Sequence, residues 1–451
     1  MHPVHATSTS PGRAPKRELE LHDGNKILRG FSQYFHAQLP ENASPCRIQL
    51  MHNVKSLKKE SSHGMLLSSN AELAALCERL KNAAAFGIDT EFIGETSYTP
   101  ILCLIQISIG AEVELVDPMA IDDLSPLLNL ISDPAILKMC HAGEQDLAIL
   151  AQRSGSRPAN VIDTQVLAGL IGLGYPLSYA KLVEYFCAVS LAKAHTYSAW
   201  DRRPLTHAQH EYAIDDVKYL SAIYTAISAR LDSLNRRLWA VAACEERCDA
   251  AARPPDPQLA YLKIKAPRSL NSLQLAALRE LCAWREQLAY EHDLPARTML
   301  PDNVLRDIAK QLPTRAAQLN NIKEFPQREL ASYADFIVSL VARLKDQPAS
   351  TYPPAADEID ETPDARVFGE TAWALAQTIC ISGHVSTALV ASQADVLELA
   401  QQVRAGKPIA DHKLASGWRY ECLGKTLLEC LTAEQSITLS CRNGVLESLT
   451  R

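Results

Sequence analysis

Long apolar runs are absent from this 451-residue sequence. No stretch reaches the roughly 20 residues that a membrane helix needs, and the polar N-terminus lacks the apolar core of a secretory signal peptide. No Gly-x-x-x-x-Gly-Lys-Ser/Thr loop occurs either, which argues against a P-loop helicase. These absences predict a cytoplasmic protein with no membrane segment and no nucleotide-driven motor.

Paired cysteine motifs are also missing. The 12 cysteines are scattered, mostly within apolar stretches, so we expect reduced thiols that pack in the core. Cys244 and Cys248 lie four residues apart on a predicted helix, but no second pair completes a set of zinc ligands.

The net charge of −7 is distributed unevenly. Residues 66–232 contain 11 Lys and Arg against 20 Asp and Glu, whereas residues 263–345 contain 13 against 9. This division is typical of an enzyme whose acidic residues hold metal ions while a separate basic module attracts a polyanion.

Periodicity and composition divide the chain into six parts. Residues 1–64 show no sustained period and are expected to be a disordered extension, with Met51 or Met65 as an alternative translation start. Over residues 65–235, closely spaced strands followed by strand–helix alternation predict an α/β domain with a mixed sheet flanked by helices. The remaining predicted parts are a helix and linker (236–268), an all-α unit (269–347), an acidic Pro-rich linker (348–365) and a second unit (366–451) that is helical to about residue 433. From about residue 233 onward the sequence shows no strand signal until its end.

Two carboxylates interrupt the first long predicted strand, Phe86 to Phe92. Asp89 and Glu91 are two residues apart, a spacing that directs both side chains to the same face of a strand. Buried together they would repel each other unless a hard cation such as Mg²⁺ or Mn²⁺ bound them. Taken alone, the stretch is explained equally well by an Asp at a strand end and a solvated Glu.

Two further acidic positions complete a candidate set. Asp146 is predicted in the first turn of a helix that follows a strand, where the helix dipole alone often explains an acidic residue. Tyr212 and Asp216 are four apart on a long predicted helix and so share a face, as in any ordinary Tyr–Asp contact. Together, however, Asp89, Glu91, Asp146 and Asp216 would suit two divalent ions that cleave a phosphodiester, with Tyr212 orienting the attacking water.

At these positions the chain resembles the ribonuclease D family, within the tyrosine subclass of the DEDD superfamily of 3′→5′ exonucleases. The resemblance rests on three motifs: Asp89-Thr90-Glu91-Phe92, His141-Ala142-Gly143 with Asp146, and Tyr212 with Asp216-Val217. Supporting stretches are Leu104-Ile105-Gln106, Asp163-Thr164-Gln165 and the segment from Trp200 to Leu205.

The resemblance implies an α/β RNase H-like exonuclease domain with a mixed sheet, followed by two all-α HRDC-type helical domains. The first HRDC-like region surrounds Trp284-Arg285-Glu286, and the second, more diverged, contains Gly417-Trp418-Arg419. It also implies that Asp89, Glu91, Asp146 and Asp216 are ligands of two Mg²⁺ or Mn²⁺ ions, and that Tyr212 is the general-base or water-orienting residue. His141 is expected to be structural.

The activity expected from the resemblance is trimming of the 3′ ends of tRNA precursors and other structured RNAs, with release of nucleoside 5′-monophosphates. The basic helical unit would hold the RNA by phosphate contacts, and the chain would act as a monomer without an obligate protein partner. Trp200 and Arg203 lie in a stretch that could face the RNA, although a buried role is the commoner one for Trp. Two alternatives remain open: a DNA 3′→5′ exonuclease of the same superfamily, and a non-catalytic nucleic-acid adaptor.

Overall fold

The structure is a computed structural model that describes residues 64–191, 199–264, 270–326, 330–355, 362–433, 437–442 and 445–450. The predicted N-terminal extension and part of the acidic linker therefore lie outside the described residues. Within the described ranges, none of the helices combines the length and the apolar character that crossing a bilayer requires.

A six-stranded sheet forms the centre of the first half of the chain. Its strands are β1 (Met65–Leu67), β2 (Ala85–Ile93), β3 (Ile101–Ile109), β4 (Glu112–Val116), β5 (Leu137–Cys140) and β6 (Val161–Asp163). The spatial order is β1-β4-β3-β2-β5-β6. Antiparallel pairing joins β2, β3 and β4, whereas β1 with β4, β2 with β5 and β5 with β6 are parallel. The predicted mixed sheet is confirmed, and β2 lies inside it.

Helices cover both faces of this sheet. They are α1 (Asn70–Lys81), α2 (Ser125–Ser132), α3 (Glu144–Ser154), α4 (Thr164–Leu170), α5 (Tyr179–Cys187), α6 (His207–Lys218), α7 (Leu220–Ser233) and α8 (Arg237–Ala252). Phe86 and Ile88 of β2 are buried against α1, α2 and α3. On the other face, Leu104 and Met139 pack with the α6 residue Val217. The alternation of these side chains along the strands leaves every second position of β2 directed toward α6 and α7.

The basic unit is a separate helical body with its own core. It contains α9 (Ser272–His292), α10 (Ala296–Met299), α11 (Asp302–Gln311) and α12 (Leu330–Lys345), with short 3₁₀ turns between them. Leu278, Leu305, Ile308 and Ile337 are fully buried at its centre. Apolar residues at three- and four-residue spacing along α9 and α11 explain why these segments form amphipathic helices.

The C-terminal unit shares a core with the domain that contains the sheet. Its helices are α13 (Pro363–Ser382), α14 (Thr387–Val390), α15 (Gln393–Arg404), α16 (Gly417–Arg419) and α17 (Lys425–Leu431). Ala372 and Ala376 of α13 belong to the same buried cluster as Leu167 of α4, Ile223 of α7 and Ala243 of α8. This unit is therefore part of the body that contains the sheet, and does not swing freely on the acidic linker.

A β-hairpin follows the last helix of the C-terminal unit. Strands β7 (Ile437–Arg442) and β8 (Val445–Thr450) pair antiparallel, with Arg442 opposite Val445. The sequence predicts helices only to about residue 433, and the hairpin lies after them. The first strand, Ile437–Arg442, alternates apolar and polar residues, and an Asn-Gly dipeptide, the strongest short-range signal for a two-residue hairpin turn, follows it in the sequence.

Arg236 joins the C-terminal unit to the domain that contains the sheet at a buried point. Its guanidinium donates to the carbonyl of Leu170 at 2.7 Å, to that of His384 at 2.9 Å and to that of Gly383. These carbonyls lie at the C-terminal ends of α4 and α13, where the helix dipole favours a cation. One buried cation therefore satisfies carbonyl groups from both parts of the chain.

Candidate active site

Strand β2 carries two of the candidate residues into a cleft of the sheet. Asp89 pairs in register with Gln106 of β3, and Glu91 pairs with Leu104, with a bulge directly after Glu91. Because the two acids alternate with the buried Thr90, both point toward α6, as their spacing predicts. A bulge at this position bends the strand just beyond the second carboxylate.

A tight loop after β5 brings Asp146 to the same cleft. Ala142 adopts a left-handed backbone with φ of 55°, and its N–H donates to the Asp163 carboxylate at 3.0 Å. A Cβ at Gly143 would lie only 2.7 Å from the sulfur of Cys140, so glycine permits this close turn. Asp146 consequently enters the first turn of α3, where it is 9% exposed.

Helix α6 supplies Tyr212 and Asp216 from across the sheet. Its end packs closely on β2 because residue 87 is glycine: a Cβ there would lie 2.3 Å from the Ser108 hydroxyl. That hydroxyl donates to the carbonyl of Val217 at 2.9 Å and so fixes the last turn of the helix. The Tyr212 and Asp216 side chains share one helix face and form a hydrogen bond with each other.

The neighbouring carboxylates contribute to raised pKa values of both acids on β2. Burial raises the pKa of Asp89 well above its ordinary value, and repulsion by the other three carboxylates raises it further. Burial raises the pKa of Glu91 to about 8, again with repulsion from Asp216 and Asp146. In the metal-free protein the four acids therefore behave as one repelling cluster.

Local hydrogen bonds partly oppose this repulsion at the other two acids. Burial raises the pKa of Asp146, while a short hydrogen bond from the Thr90 hydroxyl lowers it. Burial likewise raises the pKa of Asp216 to about 7, opposed by the Tyr212 hydroxyl. The Tyr212 pKa is itself raised by burial and by the Asp216 charge.

The donor set suits hard divalent cations, although its side chains do not meet at one point. Among the residues that the structure describes, no three Asp, Glu, His or Cys side chains are grouped closely enough to hold one ion. The Thr90 hydroxyl donates to Asp146, and the Tyr212 hydroxyl to Asp216. Carboxylate oxygens are nevertheless the ligands that Mg²⁺ and Mn²⁺ prefer, so the donor set fits these ions chemically.

Two aromatic residues beside the cleft are structural. His141 packs against Tyr179 with tilted rings whose centroids are 5.4 Å apart, and its Nδ1 lies 3.0 Å from the Thr164 hydroxyl, contacts that suit the structural role expected of it. Trp200 is 5% exposed and packs near Tyr212, with ring centroids 6.1 Å apart. Trp200 therefore supports the cleft from within the core.

The stretch containing Arg203 does not present this side chain to RNA. The Arg203 guanidinium binds the buried Asp117 carboxylate through two bonds of 2.5 and 2.7 Å, and donates to the Cys103 carbonyl at 2.7 Å. Through these bonds the planar guanidinium links β3, β4 and the segment before α6.

Two residues in the cleft received no role of their own from the sequence. Thr90 alternates with the two acids on β2, yet its hydroxyl reaches Asp146. Gln106 is completely buried beside Asp89, with no hydrogen-bond partner of ordinary geometry for either amide atom among the described residues. The only sequence signal for Gln106 was its position. It is a polar residue in the otherwise apolar run from Leu102 to Ile107, within a stretch that resembles the family.

Comparison with known proteins agrees with this architecture. Residues 66–232 match the 3′–5′ exonuclease family, and residues 274–341 match the HRDC domain family. The match covers one of the two predicted HRDC-type domains, and the similarity of residues 366–451 to this domain stays a prediction.

Full-length relatives carry the name ribonuclease D. That of Pseudomonas paraeruginosa is 32% identical over 81% of this chain and 96% of its own length. That of Zymomonas mobilis is 30% identical, over 83% of this chain and 95% of its own.

A solved structure extends the agreement to three dimensions. The crystal structure of Escherichia coli RNase D, described as an exoribonuclease involved in structured RNA processing, aligns with a TM-score of 0.73 at 29% identity. The alignment covers 82% of this chain and 99% of that one. The matched domains, the full-length relatives and the shared fold show that the chain belongs to the ribonuclease D family of 3′→5′ exoribonucleases.

Proposed function

We propose that this exoribonuclease trims the 3′ ends of tRNA precursors and other structured RNAs, releasing nucleoside 5′-monophosphates by two-metal-ion hydrolysis. The observation that carries the proposal is the placement of four carboxylates, from β2, α3 and α6, in one cleft beside one tyrosine hydroxyl. All of these groups come from a single chain, which supports action as a monomer without an obligate protein partner.

The family depends on divalent metal ions. In this chain Asp89, Glu91, Asp146 and Asp216 would hold them. We expect Asp89 to serve both, and the contribution of all three other carboxylates to its raised pKa supports this role. When bound, the ions supply a water of lowered pKa and positive charge for the leaving 3′ oxygen. Thr90 would orient Asp146, since its hydroxyl already binds that carboxylate.

Tyr212 is the residue proposed to orient the attacking water. Its ring is held by the buried Trp200, and its hydroxyl lies on the helix face that also carries Asp216. A hydroxyl in this position can hold a water beside the carboxylate cluster and take part in its deprotonation.

The basic helical unit is proposed to hold the RNA body close to the catalytic cleft. The loop that leaves β2 contacts the end of α9: the Tyr98 N–H donates to the Asp293 carboxylate at 3.1 Å, and the Tyr98 hydroxyl donates to Glu286 at 3.2 Å. Tyr290 adds an edge-to-face ring contact. A single-stranded 3′ tail would enter the cleft while the helical unit binds phosphates, so affinity should fall with added salt.

A time course on a tRNA with extra 3′ nucleotides tests the proposal. Wild-type protein with Mg²⁺ or Mn²⁺ is expected to shorten the RNA stepwise from its 3′ end, and EDTA is expected to stop the reaction. The released products, separated by chromatography, should be nucleoside 5′-monophosphates.

A matched DNA oligonucleotide in the same assay distinguishes the alternatives. Equal or faster trimming of DNA would move the function to DNA processing and keep the mechanism. Binding of RNA without trimming of either substrate would contradict an enzyme and favour a nucleic-acid adaptor.

Tyr212→Phe should lower the cleavage rate by about 10²- to 10³-fold, because the hydroxyl that orients the water is lost while the ring packing remains. Binding of Mn²⁺ should stay within a few-fold of wild type, since no carboxylate changes. Single-turnover cleavage and Mn²⁺ titration separate the two effects. A variant with the wild-type rate would assign the water to another residue.

A further inference from the structure

Gln106 is a buried polar residue to which the proposed mechanism assigns no part. It lies in the middle of β3, is 0% exposed, and neither its amide nitrogen nor its amide oxygen has a partner of ordinary hydrogen-bond geometry among the described residues. Buried amides are nearly always hydrogen-bonded, because an unpaired one loses the water that it would bind in the unfolded chain. A buried glutamine whose amide lacks a partner of ordinary geometry therefore points to a function.

The sheet register places this amide beside the two acids of β2. Gln106 lies directly opposite Asp89, and residues opposite each other in an antiparallel pair share a face. Glu91 is the diagonal neighbour on that face, within reach of a long side chain. The Gln106 side chain is close enough to lower the pKa of Glu91, in opposition to the burial that raises it.

The other polar side chain of β3 on this face is already engaged: the Ser108 hydroxyl, two residues along the strand, donates to the Val217 carbonyl. The remaining neighbours of β3 on this side are apolar, among them Leu104 and Leu115. Of the two β2 carboxylates on this face, Glu91 is the one whose pKa the Gln106 side chain lowers, and its diagonal position suits the length of a glutamine. We therefore take the Glu91 carboxylate as the acceptor for the Gln106 amide.

We propose that Gln106 is a positioning residue for Glu91: its amide N–H groups donate to one carboxylate oxygen and hold the other toward the metal site. This inference rests on the proposed function, because it assigns Glu91 as a ligand. It also gives the buried amide a partner of ordinary geometry once the Glu91 carboxylate rotates toward the site. Mutation of a residue that orients a metal ligand typically lowers metal affinity or activity by about 10- to 100-fold.

Gln106→Met tests the inference, because methionine keeps the length and volume of glutamine and removes both polar atoms. We expect thermal unfolding in EDTA at or above the wild-type temperature, since no unpaired amide remains buried. We also expect about 10- to 100-fold weaker Mn²⁺ binding, measured by the electron paramagnetic resonance signal of free Mn²⁺. Single-turnover cleavage should fall by a similar factor, recover at high Mn²⁺, and leave the KM for RNA within about threefold.

The matched control is Ile107→Val, a conservative change on the opposite face of the same strand, where the side chain is 1% exposed. It should lower stability slightly and leave Mn²⁺ binding unchanged. Wild-type Mn²⁺ affinity in Gln106→Met would overturn the inference, and so would a large loss of thermal stability, which would show a packing role. If wild-type protein itself bound no Mn²⁺ and cut no RNA, the proposed function would fail before this inference was reached.

Discussion

Asp89→Asn is expected to reduce RNA trimming by about 10³-fold or more, the largest loss that any single change in this cleft should produce. The charges of all three other carboxylates contribute to the raised pKa of Asp89, so its loss should affect both proposed ions. Removing several kcal/mol of transition-state stabilisation corresponds to a rate loss of this size. Single-turnover cleavage of a 3′-labelled RNA measures the effect.

The same substitution should stabilise the metal-free protein at neutral pH. The folded-state pKa values of Glu91 and Asp216, about 8 and 7, lie above the ordinary carboxyl range. The folded cluster therefore binds more protons than the unfolded chain between about pH 4 and 8, and stability falls as pH rises through that window. In EDTA, Asp89→Asn should flatten this decline in thermal scans. A variant that unfolds earlier than wild type at pH 7.5 would contradict the mutual repulsion.

Arg236→Met is expected to lower the free energy of unfolding by about 3–5 kcal/mol. The substitution leaves the carbonyls of Leu170, Gly383 and His384 without their donor, and each buried unsatisfied group costs about 1–3 kcal/mol. Because these carbonyls belong to both the exonuclease domain and the C-terminal unit, the loss should loosen the contact between them. Urea unfolding gives the magnitude, and hydrogen exchange of the α13 amides shows whether this unit separates first.

Arg237→Met is the matched control on the next residue. The Arg237 side chain is 48% exposed and pairs with Asp232 at the surface, so its loss should cost less than about 1 kcal/mol. Equal destabilisation by both substitutions would refute the special role of the buried guanidinium. Arg236→Lys should recover part of the loss, since one ammonium keeps the charge but cannot reproduce the planar fork of donors.

The catalytic half of the chain could be predicted largely from local sequence. The period-two spacing of Asp89 and Glu91 determines that both side chains leave one face of a strand, whatever the strand pairs with. Spacing of four residues similarly places Tyr212 and Asp216 on one helix face. Strand–helix alternation then limits the architecture to a mixed sheet covered by helices, which the structure confirms. The family motifs add the expected chemistry to positions that periodicity alone leaves ambiguous.

The C-terminal hairpin lies beyond the helical pattern of the sequence, which ends near residue 433, and local sequence carries a signal for it. Its Asn-Gly dipeptide is a local signal, and the strands Ile437–Arg442 and Val445–Thr450 flank it directly.

Contacts between distant segments were decided by the tertiary structure alone. Nothing in local sequence distinguishes Arg203, which binds Asp117, from an arginine that faces RNA. In the sequence Arg236 likewise cannot be distinguished from its exposed neighbour Arg237. The difference arises in the folded chain, where the ends of two helices bind its guanidinium. The sequence by itself therefore determined which carboxylates share a strand or helix face, because those relations depend on backbone periodicity. Burial, strand register and the shared core of the C-terminal unit arise from residues far apart in the chain, so only the folded structure could decide them.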